Sequence, residues 1–182
     1  ADKNGSIVVE QTKSGMKVYD NHVGVMTNNP KFPYHMYNLA NYMGLTAKVQ
    51  DNRLCPDVEL AHYSRGMGAI GLPGDLSSTS RFVRAVFTKM NSVANGNDDG
   101  ELTQFFHIMD SVKQVRGCCD LGHGRYEMTQ YTSCCDLDNG VYYYRTYCNS
   151  QICGVDMHHV NLDSEGLREY PLMEGQHIKM QN

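Results

Sequence analysis

Two stretches of helical apolar spacing, set between β-rich ends, constrain this chain more than any other feature. Phe82, Val83, Val86, Phe87, Met90 and Val93 fall on one face of a helix for which Ser77 or Ser78 is a plausible N-cap. Leu102, Phe105, Phe106, Met109 and Val112 repeat at i, i+3, i+4, i+7 in a second, beyond the polar connection Asn95–Gly100. Before them, Ser6–Glu10, Met16–Tyr19 and Val23–Thr27 read as three short strands of a meander. Pro30 and Pro33 break that pattern, and a helix is predicted over Tyr34–Tyr42. Residues 46–75 are loop-like. After Gly117 the texture turns to β again: Tyr126–Cys135, Gly140–Tyr147 and Gln151–Met157, with Asn139-Gly140 the strongest hairpin signal.

The order strands, two helices, strands predicts an α+β arrangement. Two helices would cover one face of a sheet built from both ends of the chain. At 182 residues the chain is the size of one domain, with no internal repeat and no dividing linker. The second face of such a sheet would lack cover, so the architecture reads as part of something larger. Its start, Ala1-Asp2-Lys3-Asn4-Gly5, fits that expectation.

Charge and apolar runs exclude some partners. A net charge of −4 argues against a broad phosphate-binding surface, hence no nucleic acid. No apolar run approaches the ~18–20 residues that span a bilayer, and no export signal is evident, so we expect no membrane partner and a cytoplasmic protein. The 7 cysteines are odd in number and lack Cys-x-x-Cys pairs. Reduced, mostly buried thiols are the leading expectation; a zinc site near Cys119 and His123 and disulfides are the alternatives. His158-His159 lack partners at ligand spacing and read as surface residues. Gly71–Gly74 lacks the lysine of a phosphate loop. Tyr142, Tyr143 and Tyr144 alternate across a strand and read as packing.

Three segments carry more than pattern: Val25-Met26-Thr27-Asn28-Asn29-Pro30, Gly71 through Phe82 with Ser77-Ser78-Thr79-Ser80-Arg81 inside it, and Tyr142-Tyr143-Tyr144-Arg145-Thr146-Tyr147. In this order and spacing they resemble the choloylglycine hydrolase family, which includes bile salt hydrolases and penicillin V acylases. The likeness runs from Asp2 to about Pro171, and the Asn28-Asn29-Pro30 form looks closer to the bile salt hydrolases. The resemblance implies part of a four-layer αββα N-terminal nucleophile hydrolase fold, with residues 1–182 the C-terminal portion of a single domain whose N-terminal strands are missing. It also implies hydrolysis of the amide joining a bile acid to glycine or taurine. The nucleophile would be an N-terminal cysteine whose own α-amine, titrating at about 7.7–8.0, serves as base. That cysteine has no counterpart from Ala1 onward, so this segment alone is expected to be inactive.

By the same resemblance Asn28 helps form the oxyanion hole and Arg81 lies beside the nucleophile, with no cofactor and no metal. Without the resemblance, Asn28 is a turn residue before proline and Arg81 a solvated helix arginine like Arg84. Asn29 is the neighbour most easily confused with Asn28, and alternation along an extended run would separate the two. The family likeness further implies a homotetramer, assembled partly through about Asn41–Met67. Two other readings stay open: a penicillin V acylase-type amidase, and a non-catalytic assembly segment that docks to a separate N-terminal chain.

Overall fold

The computed structural model describes residues 1–182, apart from the side chain of Asp98. Strands β1 (Ile7–Thr12) and β2 (Gly15–Asp20) form an antiparallel hairpin in which Val9 opposes Val18. Only Lys13 and Ser14 connect them, and Gly15 takes φ +102°, a left-handed value that a side chain would oppose. Val8 is buried, while Ile7, Val9 and Val18 are each 55% exposed, so one face of the hairpin is packed and the other is apolar and open.

The expected third strand does not form. Val23 lies in a turn, Gly24 takes φ +61°, and residues 25–27 pair with no strand; side chains hold the segment where a ladder would. Asn21 Nδ2 donates to the Val25 carbonyl at 3.2 Å, Lys89 Nζ to that of Val23 at 2.8 Å, and Thr27 Oγ1 to that of Ser78 at 2.9 Å. Helix α1 (Phe32–Leu39) starts two residues before the predicted Tyr34. Pro33 occupies the first turn, where a missing N–H costs nothing and a fixed φ helps, so the residue that ends the β pattern also lies in the start of the helix.

Helix α2 (Ser78–Asn91) is capped by Ser77, whose side chain accepts from Ser80 N. Phe82, Val83 and Ala85 are buried, but the helix stops at Asn91, so Val93 lies outside it and is exposed, as is Met90. Phe82, Phe32 and Val8 form the central cluster, with Tyr19, Val25, Met36 and Leu39 around it. The Phe32 and Phe82 rings meet edge-on at 6.3 Å. Helix α3 (Asp98–Asp110) is capped by Asn97 and buries Phe106, over whose ring the Arg145 guanidinium sits at 4.9 Å.

The predicted strand Tyr126–Cys135 is two. A small hairpin of β3 (Asp120–Gly122) and β4 (Arg125–Tyr126) precedes β5 (Tyr131–Asp136), which pairs with β6 (Val141–Thr146), itself paired with β7 (Cys153–Asp156). The Asn139-Gly140 signal does mark the β5–β6 hairpin, through a four-residue connection in which Asp136 accepts from the backbone of Asp138 and Asn139. Among the described residues the β1–β2 and β5–β7 sheets are separate, so the single sheet expected from both ends is not present.

The expectation of mostly buried cysteines also fails. All seven thiols are free; Cys118, Cys135 and Cys148 are exposed and the others half-buried. Cys134 and Cys135 sit on opposite faces of β5, the first strand of its sheet, and Cys118-Cys119 occupy a turn beside an open depression. Among the described residues no helix is long and apolar enough to cross a membrane.

Candidate functional site

Asn28 and Arg81, 53 residues apart in the chain, meet through their side chains. Arg81 Nη2 donates to Asn28 Oδ1 at 2.6 Å, and Arg81 Nε donates to the Leu76 carbonyl at 3.1 Å. A guanidinium can only donate, so this contact settles which end of the Asn28 amide faces it. The oxygen is engaged, and the Nδ2 group makes no hydrogen bond among the described residues. Both residues border an open depression of about 430 Å³, together with Asn29, Cys118, Cys119 and Glu127. A preplaced, uncharged N–H donor next to a fixed positive charge can stabilise developing negative charge on a substrate oxygen.

The first turn of α2 is built to hold Arg81 in place. Ser77 caps it, a contact of the kind that contributes about 1 kcal/mol. Asp75 accepts from Ser77 N at 2.9 Å and from the Ser80 hydroxyl. Those bonds from Ser77 and Ser80 pull the Asp75 carboxyl down to about 2. Ser78 Oγ donates to Thr27 Oγ1 at 2.9 Å, while Thr27 Oγ1 donates to the Ser78 carbonyl, so the residue preceding Asn28 is tied to the start of α2.

Arg84 is no solvated helix arginine. It donates to the carbonyls of Pro73 (2.9 Å), Asp75 (2.6 Å) and Ser111 (3.1 Å), and burial lowers its affinity for the proton. It clasps the loop before α2 and the end of α3. Asn29 borders the same depression, yet the side-chain bond to Arg81 is made by Asn28. Because residues 28–30 form a bend and not a strand, alternation is not what separates the two asparagines; Arg81 does so.

Sequence reasoning missed Cys119 and Glu127. The Cys119 thiol donates to Glu127 Oε2 at 3.5 Å, and this bond pushes the thiol above its ordinary range. Cys119 borders the same depression as Asn28 and Arg81, and the raised thiol disfavours it as a nucleophile. The spacing of Cys119 and Glu127 across the β3–β4 hairpin was the available signal. His35, also unforeseen, is fully buried on α1 beneath Asn28. Tyr142 and Tyr144 share a face of β6 with rings 6.2 Å apart, remote in sequence from both site residues, and His158 and His159 are exposed. Among the described residues no cluster of three or more His, Cys, Asp or Glu side chains could hold a metal ion.

The capped helix that presents Arg81 to Asn28 and the hairpin with one open apolar face belong to a fold that solved N-terminal nucleophile hydrolases share. The fold matches a conjugated bile acid hydrolase from Clostridium perfringens with TM-score 0.87 and 41% identity, covering 97% of this chain and 54% of that one. A penicillin V acylase from Agrobacterium tumefaciens shares the fold alone, with TM-score 0.65 and 18% identity over 85% of this chain and 42% of that one. The chain belongs to the linear amide C–N hydrolases of the choloylglycine hydrolase family, whose pattern matches residues 1–170. It is similar to the bile salt hydrolase/transferase of Lactiplantibacillus plantarum, 56% identical over 94% of this chain and 53% of the relative. It is likewise similar to that of C. perfringens, 42% identical over 91% and 50%. The chain therefore spans about half the length of the curated relatives it matches.

Proposed function

We propose that residues 1–182 are the C-terminal portion of a single bile salt hydrolase domain. In the complete protein an N-terminal cysteine attacks the amide joining a bile acid to glycine or taurine. The thiolate adds to the amide carbon, the amine leaves, and water hydrolyses the thioester. Capture of the same thioester by an amine in place of water, with a new amide formed and the thiol released, would give the transferase activity that the relatives' names include.

One observation carries the reading: the Arg81 Nη2–Asn28 Oδ1 bond, which engages the amide's oxygen and leaves its Nδ2 donor without a partner among the described residues, on a residue that borders the depression. Asn28 Nδ2 then donates to the oxyanion of both tetrahedral intermediates. Arg81 holds the amide and adds a fixed positive charge that favours thiolate over thiol. The internal cysteines do not replace the nucleophile, because they lack a free α-amine of their own, and the bond to Glu127 raises the Cys119 thiol further above its ordinary range. The chain alone is accordingly inactive. The bile salt reading is preferred to penicillin V acylase because the relatives of high identity carry the former name, while the latter likeness is one of fold.

Two further features of the complete protein belong to the same proposal. Seven free thiols fit a reducing compartment, so we place the protein in the cytoplasm. The segment before α2 exposes Leu54, Val58, Leu60 and Tyr63, apolar surface that suits the contacts of a homotetramer.

The test uses the complete protein, including the coding sequence preceding Ala1, with taurocholate and glycocholate as substrates and free taurine or glycine as readout. Asn28→Ala should lower kcat by about 10²–10³ with little change in KM, because the donor meets charge that exists mainly in the transition state. The isolated 182-residue chain should release neither amine. An Asn28→Ala enzyme within about twofold of the parent would sink the assignment.

A further inference from the structure

The Asn28 carbonyl belongs to no strand ladder. It lies in a bend, and Pro30 two residues on has no N–H to offer in exchange. Its partner comes from inside the core: His35 on α1, fully buried, places Nε2 at 2.9 Å from that oxygen. A carbonyl oxygen only accepts, so Nε2 carries the hydrogen. The ring lies nearly parallel to Phe82 (18°) with centroids 4.6 Å apart, and its Nε2 also comes within 3.5 Å of Thr27 Oγ1. Nδ1 is buried with no partner among the described residues.

An imidazole is a costly choice for mere filling. Leucine would occupy similar core space against Phe82 without an orphaned nitrogen, and buried polar groups without partners destabilise. The polar contacts the ring makes that leucine could not are the short bond to the Asn28 carbonyl and the longer approach to Thr27 Oγ1, both on the segment that carries the amide. Thr27 is tied to Ser78 and the Asn28 side chain to Arg81, both on α2. His35 adds the tie from α1, on the carbonyl of the residue that borders the depression and whose side chain Arg81 holds.

We propose that His35 is a positioning residue for Asn28, its Nε2–H fixing from within the core the backbone from which the side-chain amide reaches the oxyanion. The inference rests on the oxyanion reading of Asn28 and deepens it. Small displacements of a catalytic donor have large rate consequences, so a lost backbone anchor lowers turnover before it lowers affinity.

The experiment compares His35→Leu, His35→Gln and Asn28→Ala, singly and as the His35→Leu/Asn28→Ala pair, in the complete protein with taurocholate. His35→Leu should lower kcat about tenfold or more with KM within about twofold. His35→Gln, which retains an N–H donor, should recover most of the loss. In the Asn28→Ala background His35→Leu should have little further effect on kcat, since it acts through the missing amide. If His35→Leu does not fold by circular dichroism, His35→Asn, too short to reach the carbonyl, takes its place under the same criteria. Equal losses in both backgrounds, a folded His35→Leu with normal kcat, or a Gln variant as impaired as the Leu variant would each overturn the proposal. A normal Asn28→Ala enzyme would instead overturn the oxyanion reading, so the two failures are distinct.

Discussion

The bend at residues 27–35 and the loop at residues 46–68 are neighbours in the chain but are held in opposite ways. Around the bend the ties are long-range: Thr27 to Ser78, Asn28 to Arg81, Phe32 N to Glu10. Within the loop they are local. Asn52 closes a turn by donating to the Cys55 and Val58 carbonyls, at 2.7 and 2.9 Å, and His62 reaches back to the Gln50 carbonyl. The loop is pinched at its base, where Thr46 N donates to the Gly68 carbonyl and a Cβ on Gly68 would stand 2.0 Å from the Lys48 oxygen. Between pinch and tip its apolar side chains point outward, Leu54 at 92% exposure and Tyr63 at 82%. The bend is thus specified by this chain's own core and by α2, whereas the loop's apolar surface contributes little to the stability of this fold.

That contrast can be broken. Phe82→Ala should be the severest change, costing about 3–5 kcal/mol, because the ring is fully buried between Phe32 and His35. Its thermal or urea unfolding should show the loss directly, and a loss below about 1 kcal/mol would mean that the bend is not held by this core.

Asp75→Asn should have a smaller and pH-dependent effect. The Asp75 carboxyl titrates at about 2 when folded, below the free value near ~3.9. Its stabilising contribution is therefore complete above about pH 4–5 and disappears as pH falls through about 2. For so exposed a group we expect about 0.5–1 kcal/mol at pH 6, with parent and variant converging near pH 2 in acid-unfolding curves. A gap that widened toward low pH would reverse the argument.

The smallest expected effect on protomer stability belongs to the loop. Replacing residues 49–63 with a short Gly-Ser bridge, which spares the Thr46–Gly68 pinch, should leave the melting temperature nearly unchanged. In the complete protein it should give smaller oligomers by light scattering. An oligomer of unchanged size would remove the loop from assembly, and a large drop in melting temperature would show that its apolar residues support the protomer.

The sequence was most legible where contacts are local. The Ser77 cap of α2, the α3 periodicity and the Asn139-Gly140 hairpin each follow from residues within one or two turns of one another. It was least legible where partners are far apart. Val23–Thr27 has the composition of a strand, but only the fold reveals that Asn21, Lys89 and Ser78 hold it in place of a neighbouring strand. Arg81 and Arg84 are both helix arginines by position, and nothing local tells that one meets Asn28 and the other three backbone carbonyls. Asn28 and Arg81 were singled out by motif; their mutual hydrogen bond, and His35 beneath it, could not be inferred from spacing.

The Arg81–Asn28 contact has a consequence for chemical ageing. Deamidation of Asn28 would exchange one atom and leave the side chain almost the same in shape. Arg81 would keep a partner, now a carboxylate, and the contact would become an ion pair. The end that is Nδ2 in the amide would change from donor to acceptor, and the side chain from neutral to negative. A protein altered in this way would keep the Arg81 contact and lose the donor that the arginine leaves free.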